Sequence, residues 1–190
     1  MLRTLIEFTN NYHEFMWIVN VGHSPTSVLV DALEIFQGKA IVNFSTMEKK
    51  RLSEVLPIIK DTGANLVIQV LDETGIPDTT SAKIAISERC LNTIERLQIS
   101  PHHVIIDPLT PSLTASPTSI ASTLQYMQWL KKAGLRSIAW ATNVSIGMQN
   151  RENINAAYVS TLVAFGIDIV VVDPDERRTI QAFHSAVNQF

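Results

Sequence analysis

Along the whole chain, short runs rich in β-branched and aromatic side chains alternate with segments of helical period, and no other feature constrains the fold as tightly. The strand-like runs fall at 15–21, 40–44, 65–71, 103–107, 137–142 and 167–173, which predicts six strands. Between them, apolar residues recur at helical spacing: Val28, Leu29, Ala32, Leu33 and Phe36; Leu52, Val55, Leu56 and Ile59; Ile84, Leu91 and Ile94; Ile120, Leu124, Met127 and Leu130. A further helix is expected at 2–13, ahead of the first strand. Strands this apolar, each followed by a helix, predict a parallel sheet covered by helices, because right-handed crossovers lay the helices on the sheet faces. An open doubly wound sheet and part of an eight-stranded barrel fit six such units equally well.

Local punctuation agrees with this division. Ser24-Pro25 reads as an N-cap with proline at the first helical position, Ser45-Thr46-Met47-Glu48 as a capping box, and Gly38, Gly63 and Gly134 as helix ends. Pro57 falls inside a predicted helix, where it removes a hydrogen bond and bends the axis unless the helix starts later.

Composition narrows the function classes. A chain of 190 residues that is 46% apolar buries one sizeable core, and with no linker or low-complexity stretch a single domain spanning 1–190 is expected. The formal charge is −3 and the longest basic run is Lys49-Lys50-Arg51, so nucleic acid is not an expected partner. Cys90 is the one cysteine, which excludes an internal disulfide and a cysteine-rich metal site; a buried, inert thiol is the simpler role. Apolar runs such as Phe15-Met16-Trp17-Ile18-Val19 are strand-sized, far below the roughly 20 residues that cross a bilayer, and residues 1–12 lack a signal-peptide layout, so a cytoplasmic location is expected. Seven glycines form neither a dinucleotide-binding nor a P-loop pattern. His102 and His103 would alternate faces in an extended strand and so could not share a metal; no metal centre is expected.

Polar residues cluster where the apolar runs stop. In order these are Asn20 and His23, Asn43 and Ser45, Asp72, Asp107, the group Asn143, Ser145, Gln149, Asn150 and Arg151, and Asp173. Parallel α/β folds build their sites at these carboxyl ends. Any one such residue is more often a turn or cap, and Ser45 in particular could be only a cap. Recurrence in every unit favours a shared ligand, because polar groups buried at a strand end need partners.

The stretches Ile41-Val42-Asn43-Phe44-Ser45, Thr74-Gly75-Ile76-Pro77, Ile105-Ile106-Asp107-Pro108-Leu109 and Thr142-Asn143-Val144-Ser145, followed by Gln149-Asn150-Arg151, resemble the pterin-binding methyltransferases in order and spacing. That family includes methyltetrahydrofolate:corrinoid/iron-sulfur protein methyltransferase and the folate domain of cobalamin-dependent methionine synthase. The resemblance runs from about residue 2 to residue 185 and implies a (β/α) TIM-type barrel. It also implies methyltetrahydrofolate as substrate, a corrinoid (cobalamin) carried by a partner protein as methyl acceptor, and no metal bound by this chain. Asp107 is then the carboxylate that accepts the paired donors of the pterin edge, Asn43 bonds the same edge, and Asn143 sits beside N5 as the catalytic residue. Ser145, Arg151 and Asp72 complete the expected pterin-binding set; a surface role for Arg151 weighs about equally.

The same resemblance has departures. Gly22-His23 stands where the family has Asp-Ser, and the first two of eight βα units have no counterpart, so the expectation is an incomplete barrel. Its outer strands would be unguarded edges, predicting a homodimer or a second chain that completes the barrel. Two rivals remain at this level: a non-catalytic pterin-binding or assembly subunit, and a dihydropteroate synthase-like enzyme, although Asn143 and Asp173 stand where the latter carries basic residues.

Overall fold

In the computed structural model, residues 18–20 and 24–189 are described, so the expected helix at 2–13 and the positions Trp17, Gly22 and His23 lie outside the described residues. Six strands alternate with helices: β1 Ile18–Asn20, α1 Thr26–Ile35, β2 Ile41–Thr46, α2 Lys49–Thr62, β3 Asn65–Gln69, α3 Thr80–Arg96, β4 Val104–Asp107, α4 Ser119–Lys132, β5 Arg136–Trp140, α5 Arg151–Ala164, β6 Ile169–Val171 and α6 Arg177–Val187. The strands follow one another in chain order, β1-β2-β3-β4-β5-β6. β1 pairs parallel with β2, β2 with β3, and β5 with β6, the arrangement expected of βα units.

The chain forms two compact units. The first contains residues up to Gly75 together with Ile86–Ile105. In it β1 and β2 align Asn20 with Asn43, and Leu66, Val67 and Ile68 of β3 are wholly buried, as expected of a strand covered on both faces. Leu52, Val55, Leu56 and Ile59 form the buried stripe of α2, as their spacing predicts. Gly63 closes that helix at φ +67°, a left-handed position that glycine takes without steric cost.

The second unit contains Ile76–Ala85 and the residues from Ile106 onward. Its core gathers Met127 of α4, Ala139 of β5, Val144, and Tyr158 and Leu162 of α5. Helix α6 docks on α5 through polar groups: the Asn155 amide, wholly buried, donates from Nδ2 to both Glu176 carboxylate oxygens at 2.9 Å, and the Thr179 hydroxyl donates to Glu176 Oε2 at 2.7 Å.

Four local expectations are corrected. Ser45 is no helix cap: β2 runs on to Thr46, because pairing of Ser45 with Ile68 and Thr46 with Gln69 draws both residues into the sheet. Helix α2 starts at Lys49 after Glu48, and Glu73 Oε1 accepts from the Lys49 amide at 2.8 Å in place of the predicted serine. Ser24 lies one residue too early, since Pro25 is the N-cap and no side chain caps α1. His102 and His103 form a 3-10 turn at Pro101–His103, not an extended strand.

On α3 the buried stripe is Lys83, Ile86, Ser87, Cys90 and Ile94, rotated from the expected Ile84-Leu91-Ile94 face, because Lys83 and Ser87 are buried with partners while Ile84 and Leu91 are half-exposed. Pro57 does lie inside α2. It is tolerated because Pro57 and Ser53, whose carbonyl loses its partner, both face solvent.

Candidate functional site

In the first unit, Asn43, Ser45 and Asp72 stand at the ends of β2 and β3, and each is buried. Between Asn43 and Ser45 the register slips by one residue, so that Asn43 faces Val67 and Ser45 faces Ile68; such a bulge re-aims the side chains beside it. Asn43 is 6% exposed and its Oδ1 is a buried acceptor with no hydrogen-bond donor. A buried acceptor without a donor costs about 1–3 kcal/mol, so this position suits a ligand that brings an N–H group. Ser45 has no such vacancy, as its hydroxyl donates to Thr46 O at 3.2 Å.

Asp72 is spoken for by protein groups. One carboxylate oxygen accepts from the Thr74 amide at 2.9 Å and the Thr74 hydroxyl at 2.6 Å, and the other accepts from the Arg89 guanidinium at 2.6 Å. The Thr74 hydroxyl does most to hold its carboxyl below the ordinary aspartate range; the Thr74 amide and Arg89 add to this against the cost of burial. Asp72 thus closes the 72–75 turn and ties it to α3.

In the second unit Asp107 ends β4, 3% exposed. Its Oδ1 accepts from the Leu109 amide at 2.9 Å, and Leu109 has φ +47°, a left-handed position unusual for a branched residue. Opposite this turn lies Lys83, 1% exposed. Its ammonium donates to Pro108 O at 2.6 Å, Leu109 O at 3.2 Å and Thr123 Oγ1 at 3.4 Å. Burial lowers the Lys83 ammonium to about 8, while the carboxylates of Asp107 and Asp78 oppose the fall. Thr110 continues the network: it donates to Thr123 Oγ1 at 3.3 Å and shares a 2.6 Å hydrogen bond with the Tyr158 hydroxyl. Desolvation pushes the Tyr158 phenol up, so it stays a neutral hydrogen-bonding group.

Asn143 lies in a 3-10 turn at Ala141–Asn143 that follows β5 and is half-buried. Ser145 and Arg151 hold this turn together. Arg151 donates from Nε to Ser145 Oγ and from its terminal NH2 to Thr142 O, both at 3.0 Å. Asn150 sets up the start of α5 from a left-handed conformation, φ +55°. Asp173 accepts from the Asp175 amide at 2.9 Å in an ordinary turn, and Asn20 stands beside Asn43 in register.

Lys83, Thr110 and Tyr158 were not among the residues expected to matter. One signal for Lys83 was available: it shares helical spacing with Cys90 and Ile94, a cation on an apolar stripe. No cluster of three or more metal-binding side chains occurs among the described residues, and no described helix is long and apolar enough to cross a membrane.

A family model described as pterin binding enzyme matches residues 7–173. A methylcorrinoid:tetrahydrofolate methyltransferase of Eubacterium limosum is 22% identical over 141 residues, which cover 72% of this chain and 52% of that protein. The chain therefore spans about half the length of this curated relative. Among solved structures, a dihydropteroate synthase from Xanthomonas albilineans in complex with 7,8-dihydropteroate matches at TM-score 0.75 and 15% identity, over 99% of this chain and 72% of that one. A dihydropteroate synthase from Coxiella burnetii in complex with pteroic acid matches at TM-score 0.74 and 17% identity, over 99% and 71%. This likeness shows the fold, the parallel (β/α) TIM-type barrel architecture, here in six βα units. With a match over most of its length and that fold, the chain belongs to the pterin binding enzyme family.

Proposed function

We propose that this chain binds a reduced folate and transfers a methyl group between its N5 and a corrinoid carried by a partner protein. The observation that carries the reading is Asp107, a buried carboxylate at the end of β4 in the Ile-Ile-Asp-Pro stretch. A pterin offers an edge of ring N–H and exocyclic amine donors, and a carboxylate accepts two such bonds side by side. Asn43, with its donor-hungry Oδ1, is proposed as a further pterin ligand on the same chemistry. Asn143 is proposed as the residue at N5, where a hydrogen bond that strengthens as N5 gains a proton stabilises the transition state more than the ground state. The corrinoid supplies the cobalt that accepts or returns the methyl group. The similarity to a methylcorrinoid:tetrahydrofolate methyltransferase supports this choice of reaction, and a methyl transfer and its reverse share one transition state.

A dihydropteroate synthase activity is the second reading, favoured by the solved structures the fold matches. Against it, the late strands end in Asn143 and Asp173, with no basic residue suited to a pyrophosphate leaving group at those two positions. A cytoplasmic location and a homodimer, or a second chain that completes the barrel, complete the proposal; sedimentation at several concentrations tests the latter.

Calorimetric titration of methyltetrahydrofolate against wild type and Asp107→Asn tests the anchor. Losing one charge-assisted pair is expected to weaken binding by about 1.5–3 kcal/mol. Equal binding by both proteins, or none by the wild type, would overturn it.

A further inference from the structure

Resting on that reading of Asp107, we propose that Lys83 is a positioning residue for the ligand site, a buried cation that clamps the turn after β4 and so fixes the Asp107 carboxylate in place and in its charged form. Four observations meet at this residue. Lys83 is 1% exposed, although lysine is almost never fully buried without a partner. Its ammonium spends two hydrogen bonds on the successive carbonyls of Pro108 and Leu109, the two residues that follow Asp107. Leu109, whose amide donates to Asp107 Oδ1, is held at φ +47°. A branched residue stays in that region only where its surroundings over-determine it, and the Lys83 bond to the Leu109 carbonyl with the Asp107 bond to its amide grips the residue from both ends.

The charges facing the ammonium are also defined. Among the described residues, the carboxylates of Asp107 and Asp78 act on it, the Thr123 hydroxyl from α4 accepts a further hydrogen bond from it, and the Tyr126 ring lies 6.0 Å away. Burying a cation is unfavourable unless it is paired and hydrogen-bonded, so Lys83 at this position costs stability that an apolar residue on the same stripe would not. A methionine would fill similar space. What methionine could not do is bond two adjacent carbonyls and hold a positive charge near Asp107. A pterin needs that carboxylate ionised, because only then does it accept on both oxygens.

The test uses the full chain and needs no folate for its first two readouts. In Lys83→Met, hydrogen-exchange protection of the Leu109 amide is expected to fall at least about tenfold while that of Ile105 in β4 is kept, because only the turn is released. The Asp107 carboxyl, followed by 13C NMR and assigned with Asp107→Asn, is expected to titrate about one pH unit or more higher, since removing a nearby cation favours the neutral acid. Should Lys83→Met fail to fold, the coupling is read from the other partner: the Lys83 titration is expected to move down in Asp107→Asn relative to wild type, because the interaction is reciprocal. Unchanged Leu109 protection with an unchanged carboxyl titration in a folded Lys83→Met overturns the proposal, as does an unmoved Lys83 titration in Asp107→Asn. Methyltetrahydrofolate affinity is expected to fall about tenfold or more in Lys83→Met, and an unchanged affinity overturns the link to the ligand. A wild type that binds no folate overturns the function proposed for Asp107, while the exchange and titration results still decide whether Lys83 sets that carboxylate.

Discussion

Arg151 Nε donates to Ser145 Oγ at 3.0 Å while the terminal nitrogen of the same guanidinium donates to Thr142 O at 3.0 Å, so one exposed arginine at the start of α5 spans the turn that carries Asn143. Two residues expected to touch the pterin are thereby engaged with the backbone and side chain around the third. The fork of the guanidinium suits this bridging, which a lysine could not reproduce with both bonds.

If Asn143 acts at N5 and Arg151 only steadies it, the two substitutions separate. Asn143→Ala is expected to slow methyl transfer to a cobalt(I) corrinoid on the order of a hundredfold, with a smaller loss of folate affinity. Arg151→Ala is expected to lose about 0.5–1.5 kcal/mol of turn stability for each hydrogen bond and to slow transfer less than Asn143→Ala does. Anaerobic single-turnover kinetics with parallel titrations measure both; a larger effect from Arg151→Ala on folate affinity than on rate would show it to be a direct ligand.

Asp72 gives the protein an acid-sensitive joint. Its carboxyl is held below the ordinary aspartate value, chiefly by the Thr74 hydroxyl, so the folded state binds fewer protons than the unfolded one as pH falls toward 3.8 and below. The stability it contributes is present above that value and is lost on acidification. Asp72→Asn is expected to cost about 1–3 kcal/mol at neutral pH and to flatten the acid limb of a urea-unfolding series. Its Arg89 partner is 60% exposed, so added salt should weaken only a small part of this contribution.

On the alkaline side two buried groups act in opposite directions. Lys83 falls to about 8 when folded against 10.5 otherwise, so above pH 8 the unfolded chain binds more protons and stability rises. Burial pushes the Cys90 thiol up to about 12 from 9.0, so above pH 9 the folded chain binds more protons and stability falls. Wild-type stability is therefore expected to rise between about pH 8 and 9 and to level off between about pH 9 and 10, where the two slopes cancel, with the early rise absent in Lys83→Met and the rise continuing past pH 9 in Cys90→Ala. Denaturant unfolding across pH 7–10 reads all three, and Cys90 is expected to resist alkylation at pH 8 until the protein unfolds.

The junction of α5 and α6 rests on Asn155, wholly buried, and Glu176. Asn155→Asp puts a second carboxylate against the first and removes both donated bonds. It is expected to destabilise the fold by about 3 kcal/mol or more near neutral pH. Thermal melts of wild type and Asn155→Asp check this; an unchanged melting temperature would mean that α6 stays docked without these bonds.

Much of the fold was written in local chemistry. Ile41-Val42, Leu66-Val67-Ile68 and Val104-Ile105-Ile106 lie in short, β-branched apolar runs that suit strands buried on both faces, and the α2 stripe of Leu52, Val55, Leu56 and Ile59 is spaced to face a core. The carboxyl-end positions of Asn43, Asp107 and Asn143 followed from those same runs. What the sequence could not determine was which polar residues are taken up by protein partners, because that depends on side chains far apart in the chain. Arg89 reaches Asp72 from 17 residues away, Tyr158 reaches Thr110 from 48, and Lys83 reaches Pro108 from 25. Hydrophobic periodicity counts Lys83 and Ser87 as surface residues, since it scores a side chain by its own affinity for water and not by the hydrogen bonds waiting for it inside. Only the tertiary structure could bury that lysine against the turn of Asp107, and only there does its ammonium meet the carbonyls of Pro108 and Leu109 and the Thr123 hydroxyl.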